Sequence, residues 1–281
     1  MRGSGPSYWV LFGFIVLLAP SGANGQSSPP GLGRGHTATW FAVGVEQQLD
    51  TLEKMHWVGY VGLGRKSDPN DYIPYHSQAI LVVNQEFYHQ FRRHWQYSLA
   101  VSYREQDEYA ARAPYDHVDP SMKQEFRVYG RYSYLLNRTK WKFAATLRQE
   151  ARKFYMLDFQ PWEEDLQLRT RFRLQATWHL DQHKNTKLII SSEQLFATSR
   201  EAHTQNSARL RYTESRFCLF LSSRPGDLPF VFSVGYMNNL LGRTTLQTVH
   251  YLALSAVWQN PFGMRNSNGR EQSHQPATKQ F

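Results

Sequence analysis

The chain lacks most of the features that mark disulfide-bonded, metal-binding or helical membrane proteins. Its single cysteine, Cys218, cannot form an internal disulfide, and we expect it to be a small interior side chain. After residue 30 there is no uninterrupted apolar run of about eighteen residues, which excludes a transmembrane helix from that part of the chain. No glycine-rich phosphate loop and no known metal-ligand spacing occurs, so the sequence predicts no cofactor.

Basic residues outnumber acidic ones, with 32 Lys and Arg against 23 Asp and Glu and a net charge of +9. A surplus of this size could indicate nucleic-acid binding if it were gathered on one helix or in one run. Here the basic residues are scattered along the chain. The sequence therefore predicts no nucleic-acid partner.

The N-terminus has the pattern of an export signal. Arg2 precedes the apolar run YWVLFGFIVLLA (8–19), and small residues flank Asn24. The run stops at Pro20, short of the roughly twenty apolar residues that a membrane anchor needs. We therefore predict a cleaved signal peptide and a mature chain that begins at Gln26.

The stretch DLQLRTRFRLQATWHL (165–180) shows the strongest pattern in the mature chain. Leucine, phenylalanine and tryptophan alternate with polar residues that include Arg169, Arg171 and Arg173. A period of two marks a β-strand, and this one is much longer than the usual five or six residues. Transmembrane strands have about nine to eleven residues, apolar toward lipid and polar toward a lumen. The stretch thus predicts a membrane-spanning strand.

The same alternation recurs along the chain. Short connections such as 136–140 alternate with longer ones such as 67–76 and 107–122, which is typical of outer-membrane barrels with short periplasmic turns and long extracellular loops. We predict an all-β fold, a transmembrane antiparallel up-and-down β-barrel. The candidate strands are 37–49, 55–66, 77–90, 95–106, 123–135, 141–155, 165–180, 187–197, 208–223, 229–240 and 248–258. The predicted parts are a signal peptide (1–25), a flexible lead-in (26–36), the barrel (37–262) and a disordered tail (263–281).

The count of eleven candidate strands conflicts with the even number usual in such barrels. If the last of eleven alternating strands ends in the periplasm, the first strand must begin on the extracellular side. We therefore predict ten to twelve strands and favour twelve, with a further strand near residues 28–38.

Several stretches resemble a known family. They are NQEFYHQF (84–91), WQYSLAVSYR (95–104), KQEFRVYGRYSYL (123–135), LQLRTRFRLQ (166–175), SSEQLF (191–196), ESRF (214–217) and GYMNNL (235–240). They look like the Bacteroidota-type outer-membrane β-barrel family catalogued as domain of unknown function two-four-nine-zero. The resemblance implies a fold and a place in the bacterial outer membrane, and no catalytic residues.

An apolar outer face would turn a set of charged residues into the lumen. Arginine forks bind carboxylates bidentately, so these residues could fill a narrow barrel with ion pairs. Alternatively, the arginine surplus would favour anions in a narrow pore. The set is Glu46, Glu86, Arg104, Glu125, Arg127, Arg131, Arg148, Glu150, Arg152, Arg169, Arg171, Arg173, Glu193, Glu214 and Arg216.

Catalytic patterns are sparse. His250 and Ser255 would lie on opposite faces of one strand, and Asp116, His117 and Asp119 lie in a predicted loop. The preferred interpretation is a non-enzymatic outer-membrane barrel with a structural or accessory role. A narrow anion-preferring pore is the alternative, and an outer-membrane hydrolase or a surface ligand-binding barrel ranks lower. The predicted partners are outer-membrane lipid and lipopolysaccharide, the barrel-insertion machinery and an unidentified envelope protein.

Overall fold

The computed structural model describes residues 29–33, 35–110, 112–200, 209–242 and 246–263. Within these ranges no helix is long and apolar enough to cross a membrane. The predicted signal peptide and the predicted tail beyond Gly263 lie outside the described residues. The strands are β1 (Thr37–Gln48), β2 (Met55–Lys66), β3 (Ser77–Arg92), β4 (Trp95–Tyr109), β5 (His117–Asn137), β6 (Trp141–Tyr155), β7 (Pro161–His179), β8 (Thr186–Arg200), β9 (Arg211–Ser223), β10 (Phe230–Leu241) and β11 (Gln247–Gln259).

The strands form one closed barrel in which each pairs with its neighbours in sequence, and β1 closes on β11. All pairs are antiparallel except β1 with β11, which is parallel and brings Trp40 opposite Ala253. The all-β barrel prediction is confirmed. The favoured count of twelve and the fully antiparallel closure are corrected, because a parallel seam lets an odd number of strands close. No strand precedes Thr37 in the described residues.

The barrel has an apolar outside and a polar inside, the reverse of a soluble barrel. Along β7, Leu168, Phe172 and Leu174 are 51%, 53% and 66% exposed, whereas Arg171 between them is 5% exposed. This follows from the period of two, since successive side chains point to opposite faces of a strand. The predicted face assignment of this stretch matches the structure.

The connections differ between the two ends of the barrel. We call the end with residues 49–54, 93–94 and 138–140 the short-turn end and the opposite one the loop end. The loop end carries the ten-residue connection 67–76, but its connection 156–160 has only five residues. The predicted difference in length is therefore present but less regular, because β5 and β7 extend further toward the loop end than expected.

One sector of the interior is apolar. Trp40, Phe220 and Met237 are almost fully buried there. Glycines make room for the two rings, since a Cβ atom on Gly62 would lie 2.3 Å from the Trp40 ring and one on Gly235 only 2.1 Å from the Phe220 ring. Glycine in these strands thus serves close packing rather than a turn.

Residues 29–33, here called the N-terminal strap, lie inside the barrel. The Pro29 carbonyl accepts a hydrogen bond of 3.1 Å from Arg216, and the Leu32 amide donates one of 2.9 Å to the Tyr251 hydroxyl. Leu32 is 2% exposed and belongs to the apolar cluster. From the lumen the chain reaches the loop end, where β1 begins.

Candidate functional site

The structure places the fourteen charged residues predicted between Glu86 and Arg216 on the inner face, on β3 through β9. Twelve of them form one network through ion pairs and the Tyr129 ring, and Arg104 and Arg173 lie beside it. Glu46 lies apart, near the short-turn end, where it accepts a hydrogen bond of 3.4 Å from Gln259. The interior therefore has a charged sector opposite the apolar one.

Glu150 is the central carboxylate of this sector. Its side chain is completely buried and lies 2.5 Å from Arg171, 2.8 Å from Arg148 and 3.1 Å from Arg127. The strand register explains the arrangement. Arg148 lies opposite Arg131 on β5 and opposite Arg171 on β7, and Glu150 is two residues further along β6, on the same face. Three guanidinium groups thus share one carboxylate.

Glu125 binds two further arginines toward the loop end. Arg152 donates to both carboxylate oxygens, at 2.9 and 2.7 Å, in the bidentate fork that arginine geometry favours. Arg127 also lies 2.6 Å from Glu125 and bridges it to Glu150. All these side chains are at least nine-tenths buried.

The carboxylates of β8 and β9 hold a second branch. Glu214 accepts hydrogen bonds from Arg216 at 2.8 Å and from Asn239 at 2.9 Å. Glu193 lies 3.5 Å from Arg171 and 3.6 Å from Arg216. Glu193 thus links the Arg171 side of the network to Arg216.

Glu86 is bound mostly by neutral groups and by one arginine. It accepts from Ser98 at 2.5 Å and from Tyr129 at 2.8 Å, and Arg131 lies 3.0 Å away. The Arg148 guanidinium lies 3.4 Å from the centre of the Tyr129 ring, a cation–π contact. Sequence reasoning missed Tyr129, although its place between Arg127 and Arg131 puts it on the inner face.

Charges in this sector do not balance. Nine arginines (Arg104, Arg127, Arg131, Arg148, Arg152, Arg169, Arg171, Arg173 and Arg216) accompany five glutamates (Glu86, Glu125, Glu150, Glu193 and Glu214), a difference of nine minus five, or +4. Among the described residues Arg104 has no carboxylate within ion-pair distance, and Arg169 lies 3.5 Å from Glu214. Arg173 donates to the Ser191 hydroxyl at 3.4 Å.

A cavity of about 40 Å³ lies at the centre of this sector. A water molecule needs roughly 10 to 15 Å³ by this kind of measure, so the cavity has room for a few waters or one small ion. Its walls are Pro30, Val58, Tyr60, Glu86, Tyr88, Arg104, Arg131, Thr146, Arg148, Arg171, Arg173, Glu193 and Arg216.

Outside the lumen, the residues considered for catalysis do not form a site. His250 is on the outer face with its ring 2.6 Å from the Tyr236 hydroxyl, and Ser255 is on the opposite face of β11. His117 packs its ring against Tyr109 at 4.5 Å. Asp116 and Asp119 belong to no three-residue group with metal-ligand geometry among the described residues.

One group in the 67–76 connection was not predicted from the sequence. Ligand atoms of Asp68, Asp71 and His76 lie within 4.8 Å of one another. However, His76 lies 2.6 Å from Asp71, and Ser77 donates to Asp68 at 2.9 Å, so these atoms already satisfy one another. The group orders the loop, and the spacing of its residues in one short segment was the available signal.

Fold and lumen together define a class, the closed β-barrels with an apolar exterior and a charged interior. A family model described as "Protein of unknown function (DUF2490)" matches residues 37–250, and the chain belongs to this family. The match begins at the first residue of β1 and ends within β11, so it covers nearly the whole barrel and not the N-terminal strap. No curated protein and no solved structure matches the chain.

Proposed function

We propose that the protein is a non-enzymatic barrel of the bacterial outer membrane, with a structural or accessory role and a lumen closed by ion pairs. The observation that carries this proposal is the outer surface of the closed sheet. Exposed leucine, valine and phenylalanine side chains surround it, far more than a soluble monomer exposes in one patch. Closure also pairs the backbone groups of every strand, as a bilayer requires.

Aromatic residues at the short-turn end support this location. Trp141 stacks on Trp178 with ring centres 5.0 Å apart, and Trp95 stacks on Tyr132 at the same distance. Further around the barrel, Trp258 stacks on a phenylalanine ring at 5.7 Å. Tryptophan and tyrosine concentrate where a bilayer meets water. We place this end in the periplasm and the loop end outside the cell, against lipopolysaccharide.

The occupied interior supports a closed lumen. The ion pairs around Glu125, Glu150 and Glu214 cross the charged sector, and the strap fills space beside the apolar one. Small barrels fill with side chains, and only much larger ones leave a wide channel. The role of the protein would then depend on its loops or on an envelope partner. The signal peptide would direct its export, and the barrel-insertion machinery would assemble it.

Two measurements test the proposal. After expression in a Gram-negative host, the protein should fractionate with the outer membrane and migrate differently on gels when heated and unheated. In planar bilayers the purified protein should show no stable single-channel steps. Recovery in a soluble fraction would contradict the location, and reproducible conductance would contradict the closed lumen.

A narrow anion-preferring pore is the second candidate, favoured by the arginine surplus in the lumen. If conductance appeared, reversal potentials in a salt gradient would test this candidate. Anion preference that weakens in Arg171→Glu would support the pore, because the substitution reverses one charge of the lumen wall. Cation preference, or selectivity unchanged by the substitution, would reject it.

A further inference from the structure

We infer that the central lumen cavity is a binding site for a small inorganic oxyanion such as phosphate or sulfate. Its wall includes six arginines (Arg104, Arg131, Arg148, Arg171, Arg173 and Arg216) and only two glutamates, Glu86 and Glu193. This inference goes beyond the proposed role in the membrane. It depends on the geometry of the lumen alone and holds whether or not the barrel conducts.

The charged sector carries uncompensated positive charge. Arginine remains protonated in proteins, so a surplus of four buried guanidinium groups cannot be relieved by loss of protons. A buried charge without a partner is strongly unfavourable. The lead-in cannot supply the missing negative charge, because residues 26–36, QSSPPGLGRGH, contain no acidic residue. An anion from solution would restore the balance.

Among the described residues, Arg104 is an arginine of the cavity wall that lacks a carboxylate partner within the sector's ion pairs. Its side chain borders the cavity, the residue is only 8% exposed, and its Nε atom is buried without a hydrogen-bond partner. Its opposite residue on β5 is Glu125, which is already occupied by Arg127 and Arg152. Arg104 therefore presents a buried cationic donor to the cavity.

The size and donor geometry favour an oxyanion. A cavity of about 40 Å³ has room for one ion of this kind. Guanidinium groups donate pairs of parallel hydrogen bonds, which match pairs of oxygens on phosphate or sulfate better than a spherical halide. Pro30 of the strap forms part of the wall, so the strap covers one side of the site.

The test uses the full mature chain, refolded in nonionic detergent with radiolabelled phosphate. After gel filtration we expect about one phosphate per chain, released on unfolding and displaced when refolding includes excess sulfate. At constant ionic strength, the midpoint of thermal unfolding should rise with phosphate concentration, as for any ligand that binds only the folded state. Absence of retained phosphate would overturn the inference, as would equal stabilisation by all sodium salts, which indicates screening.

Variants of Arg104 locate the site. Arg104→Gln should weaken phosphate binding by about tenfold or more, the effect of one lost charge-assisted hydrogen bond. The matched control is Arg93→Gln, in an exposed turn, which should bind like the parent. Arg104→Glu places a carboxylate at the cavity, so it should fold without phosphate and retain none. Undiminished phosphate retention in either Arg104 variant would place the ion elsewhere and overturn the inference.

Discussion

Replacing Glu150 by glutamine tests the ion-pair network at its most connected point. The substitution keeps the shape of the side chain and removes a charge shared by three arginines at 2.5 to 3.1 Å. The surplus inside the charged sector then rises from +4 to +5. Breaking a buried ion pair by removing one partner costs about 3 to 5 kcal/mol. Because three arginines lose this carboxylate at once, we expect Glu150→Gln near the top of this range.

The assay is equilibrium unfolding in urea of the refolded protein, followed by fluorescence of its tryptophans. Glu163→Gln is the matched control, because Glu163 is exposed on β7 and should change stability by less than about 0.5 kcal/mol. The double variant Glu150→Gln with Arg171→Gln returns the surplus to +4. It should therefore be more stable than the sum of the two single changes by about 1 to 3 kcal/mol.

Two results would refute this reasoning. If Glu150→Gln were as stable as the parent, the network would not be dry and water or ions would replace the lost charge. If the double variant followed the simple sum, Glu150 and Arg171 would not be coupled, and their contact of 2.5 Å would carry no energetic weight.

Three further predictions concern the two faces of the barrel wall and the packing within it. With spin-labelled cysteines placed singly at 170–173 in a Cys218→Ser background, a lipid-confined relaxing agent should reach 170 and 172 but not 171 and 173. Leu32→Ala should destabilise the barrel by about 2 to 5 kcal/mol in urea unfolding, because the side chain is 2% exposed and the substitution leaves a cavity. Gly62→Ala should reduce the free energy of unfolding by about 1 to 3 kcal/mol, because the new methyl group would overpack against the buried Trp40 indole. Gly130→Ala should reduce it by less, because the nearest atom to the new methyl group would be 3.6 Å away.

Each of these has a clear contrary outcome. Equal accessibility at all four labelled positions would indicate a sheet in water, and the reverse order would invert the barrel. A neutral Leu32→Ala would mean that the strap does not occupy the lumen in solution. Equal effects of the two glycine substitutions would show that the indole ring can move aside.

The alternation of the sequence predicted the strands and their faces well, because one side of every strand must be apolar. The candidate 229–240 differs from β10 by one residue at each end. The candidate strand 123–135 was too short at both ends, because β5 runs from His117 to Asn137. Near the ends of the strands, apolar and polar residues alternate less regularly, so the sequence pattern does not indicate where the strand pairing ends.

The partners within the lumen were only partly predictable. Arg171 was expected to take part in ion pairs of the lumen, and the structure places it against Glu150 and Glu193. Periodicity assigns a face, but the pairing depends on the register between strands, which is a long-range property. The strap was missed for another reason: a short segment rich in glycine and proline has no period, and only Leu32 hinted at burial.

The parallel pairing of β1 with β11 also determines where the first and last residues of the barrel lie. Thr37 and Gln259 are at opposite mouths, because Gln259 lies opposite Glu46, nine residues along β1 from Thr37, a separation of about 30 Å. Circular permutation succeeds where termini are close, and here a linker of a few residues could not join them. A linker of about a dozen residues could span the gap, and it would run antiparallel to both β1 and β11. To pair as a twelfth strand and make the barrel even-stranded, such a linker would have to separate β1 from β11, which already pair over ten residues.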